Sequence, residues 1–168
     1  MSWFTQARDH AINPNVRPRS RAGFTLIELV IVMVIVSTVG AIAIPRYGRA
    51  VAHYRLSSSL NRVVADINAA RSLAMATSKT QTITFSAFSN TYTVTGLKSL
   101  ENNPSIYTTN LSAEPYNANI TFVSFGFLQQ TVSFDAYGTP DNSGTIQLIC
   151  GGVTKGIWVD ATGKAVVP

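Results

Sequence analysis

The sequence predicts an α+β chain in which one long N-terminal helix, half membrane-spanning and half amphipathic, packs on a small antiparallel β-sheet head. Three observations carry this. Phe24 to Ile44 is apolar apart from one ionisable side chain, Glu28. The next thirty or so residues keep a helical period but confine their large apolar side chains to one stripe. From Thr80 onward, short alternating runs separated by Gly, Pro, Asn and Asp read as strands and turns. The expected organisation is a basic leader over 1–23, a spanning helix over 24–44, an amphipathic helix over 45–77 and a β-rich head over 78–168.

The leader carries Arg8, Arg17, Arg19 and Arg21 against Asp9, which is +3 of the whole chain's +5. The basic character therefore belongs to the N-terminus and says little about nucleic acid. At about 1.5 Å per residue, Phe24 to Ile44 makes roughly 32 Å of helix, which matches a hydrocarbon core of about 30 Å. Charged residues are only 12% of the chain, against about 25% in ordinary domains, because this segment holds almost none. Positive charge before the span favours a cytoplasmic N-terminus, but Arg46, Arg49, Arg55 and Arg62 follow it, so charge alone does not fix orientation.

Three readings of this N-terminus compete. A cleaved secretory signal ending at Ala41–Ala43 conflicts with the length of the apolar run. A plain signal anchor leaves Glu28 unexplained, because a carboxylate in the bilayer costs on the order of 2.5–3.5 kcal/mol and needs a partner. The third reading supplies one. "RAGFTLIELVIVMVIV" resembles the leader and N-terminal helix of type IV pilins and type II secretion pseudopilins. That resemblance implies cleavage by a prepilin peptidase between Gly23 and Phe24, and methylation of the new Phe24 amine. It implies that Glu28, fifth in the mature chain, pairs with the N-terminal amine of a neighbouring subunit. It also makes Pro45 a helix-bending proline, since proline removes one helical hydrogen bond.

Past Pro45, Leu56, Leu60, Val63, Val64, Ile67 and Ala74 form the stripe, with Arg55, Arg62 and Asp66 read as the opposite face. Arg71 lies close to the stripe, where its stem snorkels or its head pairs with Asp135 or Asp160. The helix should end near Thr77 or Ser78. Strands are expected in "TQTITF", "TYTVTG", "NITFVSF", "TVSFDAYG", "TIQLICGG", "GIWVDATG" and "KAVV". The clearest turns are Tyr137 to Gly144 and Asp160 to Gly163, and Glu101 to Tyr116 reads as a long surface loop.

"AARSLAMATSKTQTITF" and the closing "GIWVDATGKAVV" look like the GspH/FimT-like group of minor pseudopilins and minor pilins. The lone Cys150 disfavours disulfide-looped major pilins. The resemblance implies a structural subunit of a type II secretion pseudopilus or type IV pilus, acting in secretion or filament initiation. It would sit single-pass in the bacterial inner membrane with its head in the periplasm, then enter a filament. Its partners would be prepilin peptidase, other pilin or pseudopilin subunits, the inner-membrane assembly platform and membrane lipid. The alternatives are a major pilin, a DNA-receptor minor pilin and a non-polymerising anchored β domain.

No catalytic constellation, cofactor or metal site is expected. His53 is the one histidine after the leader, Cys/His metal spacings are missing, and Asp135, Asp141 and Asp160 sit at turns for backbone reasons. Nucleic acid is not an expected partner. Over residues 78–168, Lys79, Lys98, Lys155 and Lys164 face Glu101, Glu114, Asp135, Asp141 and Asp160, so four positive charges less five negative leave −1.

Overall fold

The computed structural model describes residues 23–97 and 107–167. The leader up to residue 22 and the first part of the expected 101–116 loop, through residue 106, lie outside the described residues. The chain divides into two compact units, Met1–Gly40 and Ala41–Pro168. Helix α1, Leu26–Thr77, contributes to both. It stops where the period was expected to break, with Ser78 in the left-handed region at φ +51°.

Within the second unit eight strands follow. They are β1 Gln81–Ser86, β2 Thr91–Val94, β3 Tyr107–Asn110, β4 Asn119–Phe125, β5 Thr131–Phe134, β6 Gly144–Cys150, β7 Val153–Val159 and β8 Ala165–Val166. The single expected sheet is in fact two, both antiparallel. One has the order β3-β2-β1-β5 and the other β4-β6-β7-β8. Strand β3 corrects the reading of Glu101 to Tyr116 as loop throughout. Tyr107 to Asn110 pairs in register with Thr91 to Val94, because Tyr-Thr-Thr suits a half-buried strand once β2 offers an edge.

The apolar stripe of α1 closes on these sheets. Leu56, Leu60, Val63, Ile67, Ala70 and Ala74 are buried, and they share one core with Ile83, Phe85, Phe125, Phe134, Ile146 and Ile157. Phe85 from the first sheet stacks on Phe125 from the second at 5.9 Å between ring centres, so aromatic contact joins the layers.

Two turns repeat the pattern Asp-Ala-x-Gly, at Asp135–Gly138 and Asp160–Gly163. In the first, Asp135 Oδ1 accepts from the N–H groups of Tyr137 and Thr139 at 2.9 and 2.8 Å. In the second, Asp160 Oδ1 accepts from the N–H groups of Thr162 and Lys164 at 2.8 and 2.9 Å. These bonds account for both carboxylates as turn formers. Arg71 corrects its expectation here. Its Nε donates to the Gly138 carbonyl at 3.0 Å, and no ion pair with Asp135 or Asp160 forms among the described residues. A carbonyl left outward by the turn suits a snorkelling guanidinium as well as a carboxylate does. Gly163 packs on the same point. A Cβ there would lie 2.7 Å from the Gly138 oxygen and 3.2 Å from Arg71 Nε.

Gly163→Ala should therefore lower the melting temperature of the head more than Gly152→Ala. Both glycines have φ +80°, but a Cβ on Gly152 would meet nothing within 4 Å. Left-handed backbone costs either alanine on the order of 1–2 kcal/mol, and only Gly163 adds a clash. Equal losses in a thermal melt would show that the packing on Gly138 contributes nothing.

Candidate functional site

Two clusters of polar chemistry stand out, one at each half of α1. In the first unit, Gly23, Phe24 and Thr25 precede the helix and are exposed, and nothing lies within 4 Å of the Cβ position of Gly23. Thr25 Oγ1 accepts from the N–H of Glu28 at 3.2 Å, so Thr25 caps the helix and Glu28 occupies its third position. This is the Thr-x-x-Glu capping pattern, a signal present in the sequence that the apolar-run reading passed over. A carboxylate in the first turn gains about 0.3–1 kcal/mol from the helix dipole, less than its burial in hydrocarbon costs.

The other polar side chains of the span are satisfied by the helix itself. Ser37 Oγ donates to the Met33 carbonyl at 2.7 Å, and Thr38 Oγ1 donates to the Ile35 carbonyl at 2.8 Å. Among the described residues, the Glu28 side chain has no hydrogen-bond or ion-pair partner. It is the one polar group of the segment left over. α1 is long and apolar enough to cross a membrane. Pro45 sits inside α1, where it has no N–H to offer the preceding turn.

The second cluster is Asp66, which corrects its placement on the solvent face. It is 7% exposed. It lies on the flank of the stripe beside Ser59 and Ala70, seven residues before and four after it on the helix. Its Oδ2 accepts from the Tyr92 hydroxyl at 2.5 Å, the Tyr107 hydroxyl at 2.9 Å and Arg62 Nε at 3.2 Å. The Arg62 guanidinium also donates to the Tyr107 hydroxyl and lies 5.7 Å from that ring's centre. Burial, then the bond to Asp66, pushes the Tyr92 hydroxyl far above the usual phenol range. Burial first also raises Tyr107. The group is a satisfied, partly buried knot, with Asp66 and Tyr92 buried, Tyr107 half-buried and Arg62 exposed, that ties α1 to β2 and β3. It positions the fold and offers no open site.

Among the described residues nothing else gathers into chemistry. His53 is exposed on α1. Among the described residues, no three His, Cys, Asp or Glu side chains are grouped to hold a metal ion.

Residues 18–44 match the model of the prokaryotic N-terminal methylation motif, and residues 59–163 match that of type II transport protein GspH. No curated protein matches the chain. Among solved structures it is similar to the type IV minor pilin FimU of Pseudomonas aeruginosa (strain PAO1) in two crystal forms. The first gives a TM-score of 0.53 at 14% identity, covering 69% of this chain and 90% of FimU. The second gives 0.50 at 14% identity, covering 67% and 92%. At that identity the likeness speaks to the fold: a long N-terminal helix packed on antiparallel sheets.

The Asp66 knot makes the head sensitive to alkali. Because the folded Tyr92 holds its proton above the unfolded value of about 10, its contribution is present below about pH 10 and lost as pH rises beyond it. Tyr92→Phe should cost about 1 kcal/mol at neutral pH and flatten this alkaline loss, with Tyr107 supplying the remainder. Denaturant midpoints at about pH 7 and pH 11 check it, and identical alkaline slopes in both proteins would contradict it.

Proposed function

The chain belongs to the GspH family of type II transport proteins, and from that premise we propose that it is a minor pseudopilin or minor pilin matured at Gly23–Phe24 and assembled through Glu28. It is a structural, membrane-anchored subunit of the pilin kind. The finer account is as follows. A prepilin peptidase removes residues 1–23 and Phe24 is N-methylated. The 24–44 segment rests in the inner membrane through the assembly platform, with the amphipathic 45–77 segment and the 78–168 head on the periplasmic side. Pro45 bends the helix where span and neck meet. The subunit then enters a filament serving secretion or pilus initiation.

One observation carries this reading. Glu28 is the polar group of the span that has no side-chain partner among the described residues, whereas Thr25, Ser37 and Thr38 are all bonded locally. An α-amine is cationic near neutrality, with a reference pKa of about 7.7–8.0. A neighbour's Phe24 amine would therefore offset the desolvation of Glu28 on arrival, and would make leaving the lipid cooperative with joining the filament. The helix start supports the cleavage position. The cap is Thr25, two residues after Gly23, so cutting at Gly23–Phe24 leaves the capped helix intact. A DNA-uptake role is not favoured, because the acids outnumber the lysines in the head.

Co-expression with a prepilin peptidase should yield an intact mass that begins at Phe24 plus one methyl group, and without it a chain beginning at Met1. Glu28→Ala should be processed normally yet enter filaments at least about tenfold less, since removing one member of a buried ion pair costs well over a tenfold factor. Normal incorporation of the processed variant would refute the assembly role.

A further inference from the structure

α1 carries five arginines, Arg46, Arg49, Arg55, Arg62 and Arg71, and the head engages three of them. Arg71 holds the Gly138 carbonyl, and Arg62 holds Asp66 and Tyr107. With the Asn117 amide turned so that its oxygen faces the helix, Arg55 Nη1 donates to it at 3.2 Å. Arg46 and Arg49 are different. Both are exposed, and among the described residues neither has a hydrogen-bond or ion-pair partner. The helix itself offers them no nearby acid, because the sequence holds no Asp or Glu between Glu28 and Asp66. Tyr47, between them, is 74% exposed.

Their position along the helix selects the ligand. Arg46, Tyr47 and Arg49 fall within roughly 8 Å of Ile44 along the axis, the depth of a headgroup layer beyond the hydrocarbon. Side chains on a helix lean toward its N-terminus, here toward the apolar segment. Tyrosine and long cations are the residues that settle at a membrane–water boundary. Two cations just beyond the span also weaken the charge asymmetry that the leader arginines create. A neighbouring subunit could supply a carboxylate, but the resting subunit faces lipid first, and anionic headgroups are fixed at that depth.

We propose that Arg46 and Arg49, three residues apart on one helix face, form a docking site for the phosphate of anionic phospholipid, with Tyr47 at the same depth on another face, and that this site sets the depth at which the subunit rests in the membrane. The proposal rests on the membrane-anchored reading of α1. Juxtamembrane arginines are attracted to anionic lipid, so the pair should give roughly a tenfold preference for phosphatidylglycerol over phosphatidylcholine.

The full chain reconstituted in nanodiscs of equal parts of the two lipids provides the test, with retained lipids counted by native mass spectrometry. The wild type should retain phosphatidylglycerol in excess. Arg46→Gln/Arg49→Gln should bring the ratio close to parity, and added salt should shrink the wild-type excess. An Arg55→Gln control should keep it, since Arg55 is engaged by the head. Parity in the wild type, or an excess that survives the double substitution, overturns the proposal. So does a double variant with unchanged lipid that loses cross-links to neighbouring subunits, which would make the band a protein interface. Alkaline carbonate extraction separates the two readings. A chain released from the membrane sinks the anchored helix itself, whereas a retained chain at parity sinks the lipid site alone.

Discussion

No strand of one sheet pairs with a strand of the other, so the spacing of the two sheets rests mainly on packed side chains. The stripe of α1 is the surface on which both close, and the rest of the head depends on that contact. Leu56, Leu60, Val63, Ile67, Ala70 and Ala74 supply its apolar ridge. The stacked rings of Phe85 and Phe125 connect the sheets beneath it. Asp66 adds direction that apolar packing lacks, because a buried carboxylate is tolerable only where its hydrogen bonds are made. Two tyrosines from two strands and one arginine from its own helix make them. A slip of α1 by one residue against β2 and β3 would break the group at once.

The same helix answers to two solvents. Through the apolar run its hydroxyls turn back on the backbone and every side chain from Phe24 to Val39 is exposed, the pattern of a surface meant for a medium that offers no hydrogen bonds. Beyond Pro45 the apolar residues withdraw to one side, while Arg46 and Arg49 stay exposed. A single secondary structure thus carries both demands, and the change from one to the other falls within a few residues of Pro45.

Much of this was legible in the sequence. The apolar run was visible, and α1 is long and apolar enough to cross a membrane, which takes twenty or so apolar residues in a row. Strand β4 was expected over "NITFVSF" and occupies Asn119–Phe125. Asp135 and Asp160 were read as turn formers, and their carboxylates do cap the two Asp-Ala-x-Gly turns. What was not legible depended on distant partners. Tyr107 to Asn110 has strand-forming residues in a segment of Asn, Pro and Ser, and becomes a strand through β2. Asp66 was assigned to solvent because charge on a helix usually lies there. The hydroxyls that bury it come from residues 26 and 41 positions away, and no local pattern announces them. For Arg71 the sequence leaves a snorkelling stem or a carboxylate partner open, and the guanidinium takes a backbone carbonyl, a partner that composition cannot display. Thr25 and Glu28 form the opposite case, a local capping pattern obscured by the apolar run around it.

The strand order has a consequence for how the molecule comes into being. Strand β4 belongs to one sheet, yet its neighbours in sequence, β3 and β5, belong to the other. Neither sheet is a contiguous piece of chain. As the polypeptide is synthesised, the first sheet waits for β5 at Phe134, and the second holds β4 unpaired until β6 appears at Gly144. The chain has no point at which half a head could stand alone, so a truncation between the sheets cannot yield a stable fragment. Folding of the head is therefore a late and single event that follows emergence of nearly the whole sequence, and until then the apolar ridge of α1 has nothing to cover it.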